Sequence, residues 1–189
     1  VTALENDRQP GSDNDFAIAA AAGDADAFAR LIERQYDRIY ALAWRWSGDQ
    51  AEAEDIAQDV CVKLASAIRS FRGESNATTW IYRIAYTTTV DHIRARRRVH
   101  LVAPEQMAAL VDAPDTNNAE VHMLYGELWA AVRQLPDQQR DAVLLVYGQE
   151  LSHAEEAQVM DCTEKTVSWH LHEARKRLRS AFDEVGQCR

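Results

Sequence analysis

The stretch from Leu151 to Leu178 constrains this 189-residue chain more than any other, because it reads as two short helices around a tight turn. Ser152 and Glu155 make an S-x-x-E capping box, so the first helix starts there and runs to Met160. Asp161-Cys162-Thr163 then supplies turn residues and a second N-cap hydroxyl. Val167, Leu171, Ala174, Leu178 and Phe182 recur at helical spacing, so one face of the second helix packs inward. The opposite face offers Lys165, Ser168, Trp169, His172, Arg175, Lys176 and Arg179 to a partner. A helix pair with such a basic outer face suits the DNA major groove, although a plain αα-hairpin shows the same periodicity.

The rest of the chain predicts an all-α fold, since no useful length alternates with the period of two that a strand requires. After a disordered start (1–14), Phe16 to Ala22 begins a helix that Gly23-Asp24 breaks. Phe28, Leu31, Ile32, Ile39, Leu42, Ala43 and Trp46 form the apolar stripe of the next helix, which Ser47-Gly48-Asp49 ends. A further helix, about Gln50 to Ser70, buries Ala53, Ile56, Val60, Leu64 and Ile68. Arg72 to Asn76 is a loop, and Thr78 or Thr79 can cap a long helix through Arg98. Pro104, Pro114 and Asp115-Thr-Asn-Asn118 have the composition of a flexible, acidic linker, placed at 100–120. It joins two small helical domains, 15–99 and 121–185, the second opening with helices over Val121–Gln134 and Gln138–Gly148.

A net charge of −9 argues against nucleic acid only until it is resolved along the chain. Residues 72–104 hold six basic against two acidic side chains and 162–189 six against four, whereas 105–161 hold two against eleven. Two basic islands therefore stand among acidic stretches, which weaken nonspecific DNA binding. Cys61, Cys162 and Cys188 are odd in number and widely spaced, as reduced thiols are. No apolar run approaches the roughly 18–20 residues of a membrane span and no signal peptide opens the sequence, which points to the cytoplasm. No P-loop, G-x-S-x-G or H-E-x-x-H pattern occurs, and His170 and His172 face different ways on a helix. Neither an enzyme nor a metal or cofactor site is expected.

Four motifs in order, across about Asp26 to Phe182, resemble the extracytoplasmic-function class of bacterial sigma-70 factors. The first is Ala53 to Leu64, on which Asp55, Gln58, Asp59 and Val62 share one helix face opposite the apolar stripe. A solvated face is the plainer reading; the resemblance implies docking on the clamp of the polymerase largest subunit. Cys61 stands where relatives carry a bulky aromatic residue. The second runs from Ser70 through Arg98, and resembles the element that opens promoter DNA and captures a flipped base of the −10 sequence. It implies DNA contacts by Ser75, Asn76, Thr79, Arg83, Tyr86, Arg94 and Arg97. Trp80, with Ile84 and Ile93, is better placed in the core, and Tyr86-Thr87 replaces the Arg-Asn common in relatives.

The third piece is the linker, which in relatives threads through the polymerase. The fourth, Leu135 to Leu145 with the helix pair, is similar to the domain that binds the −35 element and the flap of the second-largest subunit. There Lys165, Ser168, Trp169, His172 and Glu173 fall at or beside base-reading positions, with Arg175, Lys176 and Arg179 near phosphates. Trp169 has two destinations, the adjacent hairpin or DNA. The resemblance implies an alternative sigma factor that carries core RNA polymerase to promoter DNA and is held by an anti-sigma factor until a stress signal arrives. A conventional helix-turn-helix regulator with an N-terminal sensing or dimerisation domain is the rival reading, and a sigma-like decoy a third.

Overall fold

A computed structural model describes residues 11–99 and 128–187, with side chains through residues 96 and 182 of those spans. The linker at 100–120 and the start of the helix expected at Val121 lie outside the described residues. The chain divides into two compact units, one within residues 1–101 and one within 102–189. Both are helical, and no strand occurs among the described residues.

The first unit holds α1 (Asp13–Ala21), α2 (Ala25–Ser47), α3 (Gln50–Ala67) and α4 (Ala77–Val99), with a single 3-10 turn over Ile68–Ser70. The first helix begins three residues before Phe16, because Ser12 and Asp15 form a capping box that the apolar periodicity does not signal. Gly23 at φ 107° and the Asp24 N-cap separate α1 from α2, and Gly48 at φ 68° closes α2 in the left-handed conformation that glycine adopts without strain. Around α2 pack α1, α3 and α4, and α3 also packs on α4. Their shared core is Leu31, Ile39, Leu42, Trp46, Ile56, Val60, Leu64 and Ile81, while Phe28 and Ile32 are half-buried at its edge. Burying one such side chain is worth about 1.5–3 kcal/mol, so eight of them anchor three long helices without a disulfide.

The second unit holds α5 (Asp137–Val143), α6 (His153–Val159) and α7 (Glu164–Gln187), and residues 128–133 are also helical. The helix that starts at Asp137 continues as a π-turn over Leu144–Gly148, so its extent matches the sequence expectation while its last turn is wider. Both α5 and α6 pack on α7. Val167, Leu171 and Ala174 are the inward face of α7, as the spacing indicates; Leu178 is half-buried, and Phe182 is an exception at 36 % exposure. The turn between α6 and α7 places Asp161 at φ 54°, a left-handed position filled without glycine.

Candidate nucleic-acid interface

Three surfaces carry the residues singled out by sequence. On α3 the inward face is Ala53, Ile56, Ala57, Val60 and Leu64, so the 3.6-residue period turns Asp55, Gln58, Asp59 and Val62 outward. All four are exposed, and Val62 at 65 % is a large apolar side chain in water at the C-terminal end of this face, one turn beyond Gln58 and Asp59. Two ties to α4 were not legible in the sequence. Asp59 Oδ2 lies 2.6 Å from His92 Nε2, and Glu52 receives the Arg96 guanidinium. The acidic face is therefore braced along one edge by the basic end of α4.

The loop 72–76 is held from both sides. Phe71 before it is buried, with its ring 5.3 Å from that of Trp80. After it, Asn76 rather than Thr78 or Thr79 caps α4: its Oδ1 accepts from Thr78 N at 2.8 Å, and its carbonyl accepts from Trp80 N at 3.0 Å. Asn14 of α1 reaches across and accepts from Ala77 N at 2.6 Å. Gly73 at φ 70° makes the bend between these anchors, where a side chain would be strained. Ser75 and Asn76 are half-exposed on this braced loop, while Arg83 and Arg94 lie exposed along α4.

Two residues expected at DNA lie deeper than Arg83 and Arg94. Thr79 is 3 % exposed, because the first turn of α4 rotates it into the core, and it offers no surface to a strand. Tyr86 is half-buried and meets Trp46 edge-on at 6.2 Å, so it is a packing residue with one side open. Trp80, Ile84 and Ile93 are half-buried rather than core, and the side chain of Arg97 lies outside the described residues.

In the second unit Ser152 makes the expected capping box with Glu155, and Thr163 Oγ1 accepts from Thr166 N at 3.2 Å as the cap of α7. The outward face of α7 carries Lys165, Ser168, Trp169, His172, Arg175, Lys176 and Arg179, all exposed. Trp169 is 56 % exposed, which resolves its two destinations in favour of the open face. Ser168 Oγ lies 3.3 Å from His153 Nδ1 of α6, and the Arg175 guanidinium donates to the Tyr147 hydroxyl and lies over its ring. Glu173 is half-exposed on the flank.

Beneath this face lies a polar group that sequence reasoning missed. Glu156 of α6 is completely buried, and neither of its carboxyl oxygens has a hydrogen-bond partner. Burial, and next the Asp141 carboxylate, push its pKa up to about 8. Arg140 Nη2 donates to Asp141 Oδ1 and Nη1 to Asp137 Oδ1, each at 3.0 Å. His170 of α7 is 6 % exposed, and burial lowers its pKa although Asp141 opposes this. Glu156 stands among Ala157 and Val159 on the inward side of α6, so a charge interrupting an apolar face was the available signal. Cys61 and Cys162 are free, and burial raises both thiol pKa values, so they stay protonated at neutral pH. No cluster of three or more metal-ligating side chains occurs among the described residues, and no described helix is long and apolar enough to cross a membrane.

Comparison with known proteins follows the same division. Residues 31–99 match the model of sigma-70 region 2, and residues 125–178 that of sigma-70 region 4. The chain is 43 % identical over 75 residues to the ECF RNA polymerase sigma factor SigW of Bacillus subtilis, covering 40 % of each chain. It is 41 % identical over 76 residues to the RNA polymerase sigma-H factor of Pseudomonas aeruginosa, covering 40 % of this chain and 39 % of that one. The chain thus spans about two fifths of the length of these curated relatives. Among solved structures, CnrH in complex with the cytosolic domain of CnrY superposes with a TM-score of 0.69 at 22 % identity, over 91 % of this chain and 97 % of that one. The sigma factor RpoE in complex with the anti-sigma factor NepR from Bartonella quintana gives 0.67 at 22 % identity, over 82 % and 96 %. The fold is that of a two-region sigma factor. With region 2 and region 4 present in order, the chain belongs to the sigma-70 family, in its extracytoplasmic-function class.

Proposed function

We propose that this chain is an alternative sigma factor: it binds core RNA polymerase, directs it to a class of promoters, and is restrained by an anti-sigma factor. The observation that carries the reading is the coexistence of both sigma-70 regions with an outward-facing residue set on each. The residues 15–99 take the region-2 role. Asp55, Gln58, Asp59 and Val62 offer the polymerase clamp an acidic stretch ending in one exposed apolar side chain, which suits a basic partner helix. The braced loop at Ser75 and Asn76 supplies short polar side chains for a flipped base of the −10 element, with Arg83 and Arg94 along the strand path.

The residues 121–185 take the region-4 role. There α7 lies in the major groove of the −35 element, with the flap of the second-largest subunit as the protein partner. The linker 100–120 connects the two roles. Sigma factors are not catalysts; the polymerase makes the RNA and this chain supplies the address, working in the cytoplasm where polymerase is. Anti-sigma control is the regulation that the family brings with it; an inhibitor covering α3 would block polymerase binding, and one covering α7 would block recognition of the −35 element.

The test is transcription by purified bacterial core polymerase on pooled genomic fragments, with mapping of RNA 5′ ends. New start sites that share two spaced upstream motifs, and that vanish with Asp55→Ala combined with Gln58→Ala, are the expected result. Binding to duplex DNA with no start site dependent on the protein would instead make this a conventional helix-turn-helix regulator.

A further inference from the structure

The outward face of α7 holds a stripe whose chemistry is more specific than a basic helix. Lys165, Trp169, His172 and Lys176 follow one another at i, i+4, i+7 and i+11, opposite the buried Val167, Leu171 and Ala174. At its centre Trp169 is 56 % exposed, and its ring meets His170 edge-on at 5.0 Å. Because His170 is itself buried, the indole is supported from beneath while its outer face stays open. One turn further on, Glu173 puts a negative charge on the same flank. The cations Lys165, Lys176 and Arg179 lie toward the two ends.

This distribution fixes what each part can face on a duplex. A phosphate is repelled by a carboxylate and gains nothing from the apolar face of an indole, whose one donor is its Nε1–H, so the Trp169–Glu173 part suits base edges and the cations suit the backbone. Residues 165–174 contain no arginine and a single lysine, Lys165 at their start, so the turns around Trp169 carry no side chain of the kind that reads guanine in bidentate fashion. Among the four bases only thymine presents an apolar group in the major groove, its C5-methyl. We propose that Trp169 is a specificity-determining residue that reads the 5-methyl group of a thymine in the upstream promoter element. The inference rests on the sigma-factor reading and names the base chemistry that its second region selects.

Holoenzyme reconstituted from the full chain and bacterial core polymerase provides the test. Duplexes carrying the upstream motif obtained from start-site mapping are compared with versions in which each thymine in turn is replaced by uracil, which removes only the methyl group. Affinity falling about three- to ten-fold at one or two thymines, with Trp169→Ala abolishing that difference between thymine and uracil duplexes, is the expected pattern. Equal binding of thymine and uracil duplexes at every position would overturn the inference and leave the sigma reading standing, as would a Trp169→Ala loss that is the same on both. If the holoenzyme binds none of these duplexes above scrambled sequence, the sigma reading falls and the inference falls with it.

Discussion

At the scale of single residues, the second unit keeps its polar interior at a cost. Glu156 has a folded-state pKa of about 8 against an ordinary 4.5, so the folded unit holds a proton that the unfolded chain releases. Stability linked to this carboxyl is therefore full below about pH 4.5 and is lost as pH rises toward 8, a change of a few kcal/mol at most. His170 acts in the opposite direction: its lowered pKa favours the neutral ring, so its contribution is lost as pH falls below 6.5. Glu156→Gln should raise the melting temperature of the unit by several degrees at pH 9 and hardly at pH 5, measured by calorimetry across that range. Asp161 makes a second residue-scale prediction. It occupies φ 54° where glycine carries no Cβ penalty, so Asp161→Gly should stabilise the unit by about 0.5–1 kcal/mol in denaturant titration.

At the scale of elements, α3 presents one face to the core and the other to solvent, and the ties at its edge connect it to α4. His92 lies against Asp59 and Arg96 holds Glu52, so one edge of the acidic face is already engaged within the unit. His92→Ala should leave the fold intact, since exposed pairs contribute about 0–1 kcal/mol, and should strengthen polymerase binding two- to five-fold at low salt by freeing Asp59. Fluorescence anisotropy with labelled core polymerase measures this, and unchanged affinity would show that Asp59 is available despite its partner. The orientation of α3 was legible because its five buried positions recur at 3.6 residues, which leaves Asp55, Gln58, Asp59 and Val62 one way to point. The ties were not, because His92 lies 33 residues and Arg96 44 residues from its partner in sequence. The cap of α4 was misread for a local reason: Asn76, Thr78 and Thr79 are all good caps, and only the packing of Thr79 into the core selects Asn76.

At the scale of the whole molecule, two units with separate cores should unfold separately. Calorimetry should resolve two transitions, and Glu156→Gln should move one of them alone at pH 9. A single transition shifted as a body would mean that the units fold cooperatively. The all-α class was legible throughout because helical periodicity and Gly or Pro punctuation agree along the chain. The buried Glu156 was not, because a lone charge on an otherwise apolar face looks like an error in register until neighbouring helices enclose it. Likewise, the sequence left Trp169 with two destinations, and only the packing of α5 and α6 against the other side of α7 leaves it outward.

The bond from Ala77 N to Asn14 spans 63 residues of sequence, and it ties the loop at Gly73 to the opening helix of the chain. Loop shape is thus an outcome of tertiary assembly, formed only once α1 has docked, whereas the outward face of α3 exists as soon as α2, α3 and α4 pack. Asn14→Ala should accordingly separate two abilities that normally travel together: affinity for polymerase kept, and promoter melting, followed by permanganate reactivity of unpaired thymines, reduced several-fold. On the proposed function, a molecule whose α1 has come undone would occupy polymerase without opening DNA, so the docking of one short helix separates holding the enzyme from using it.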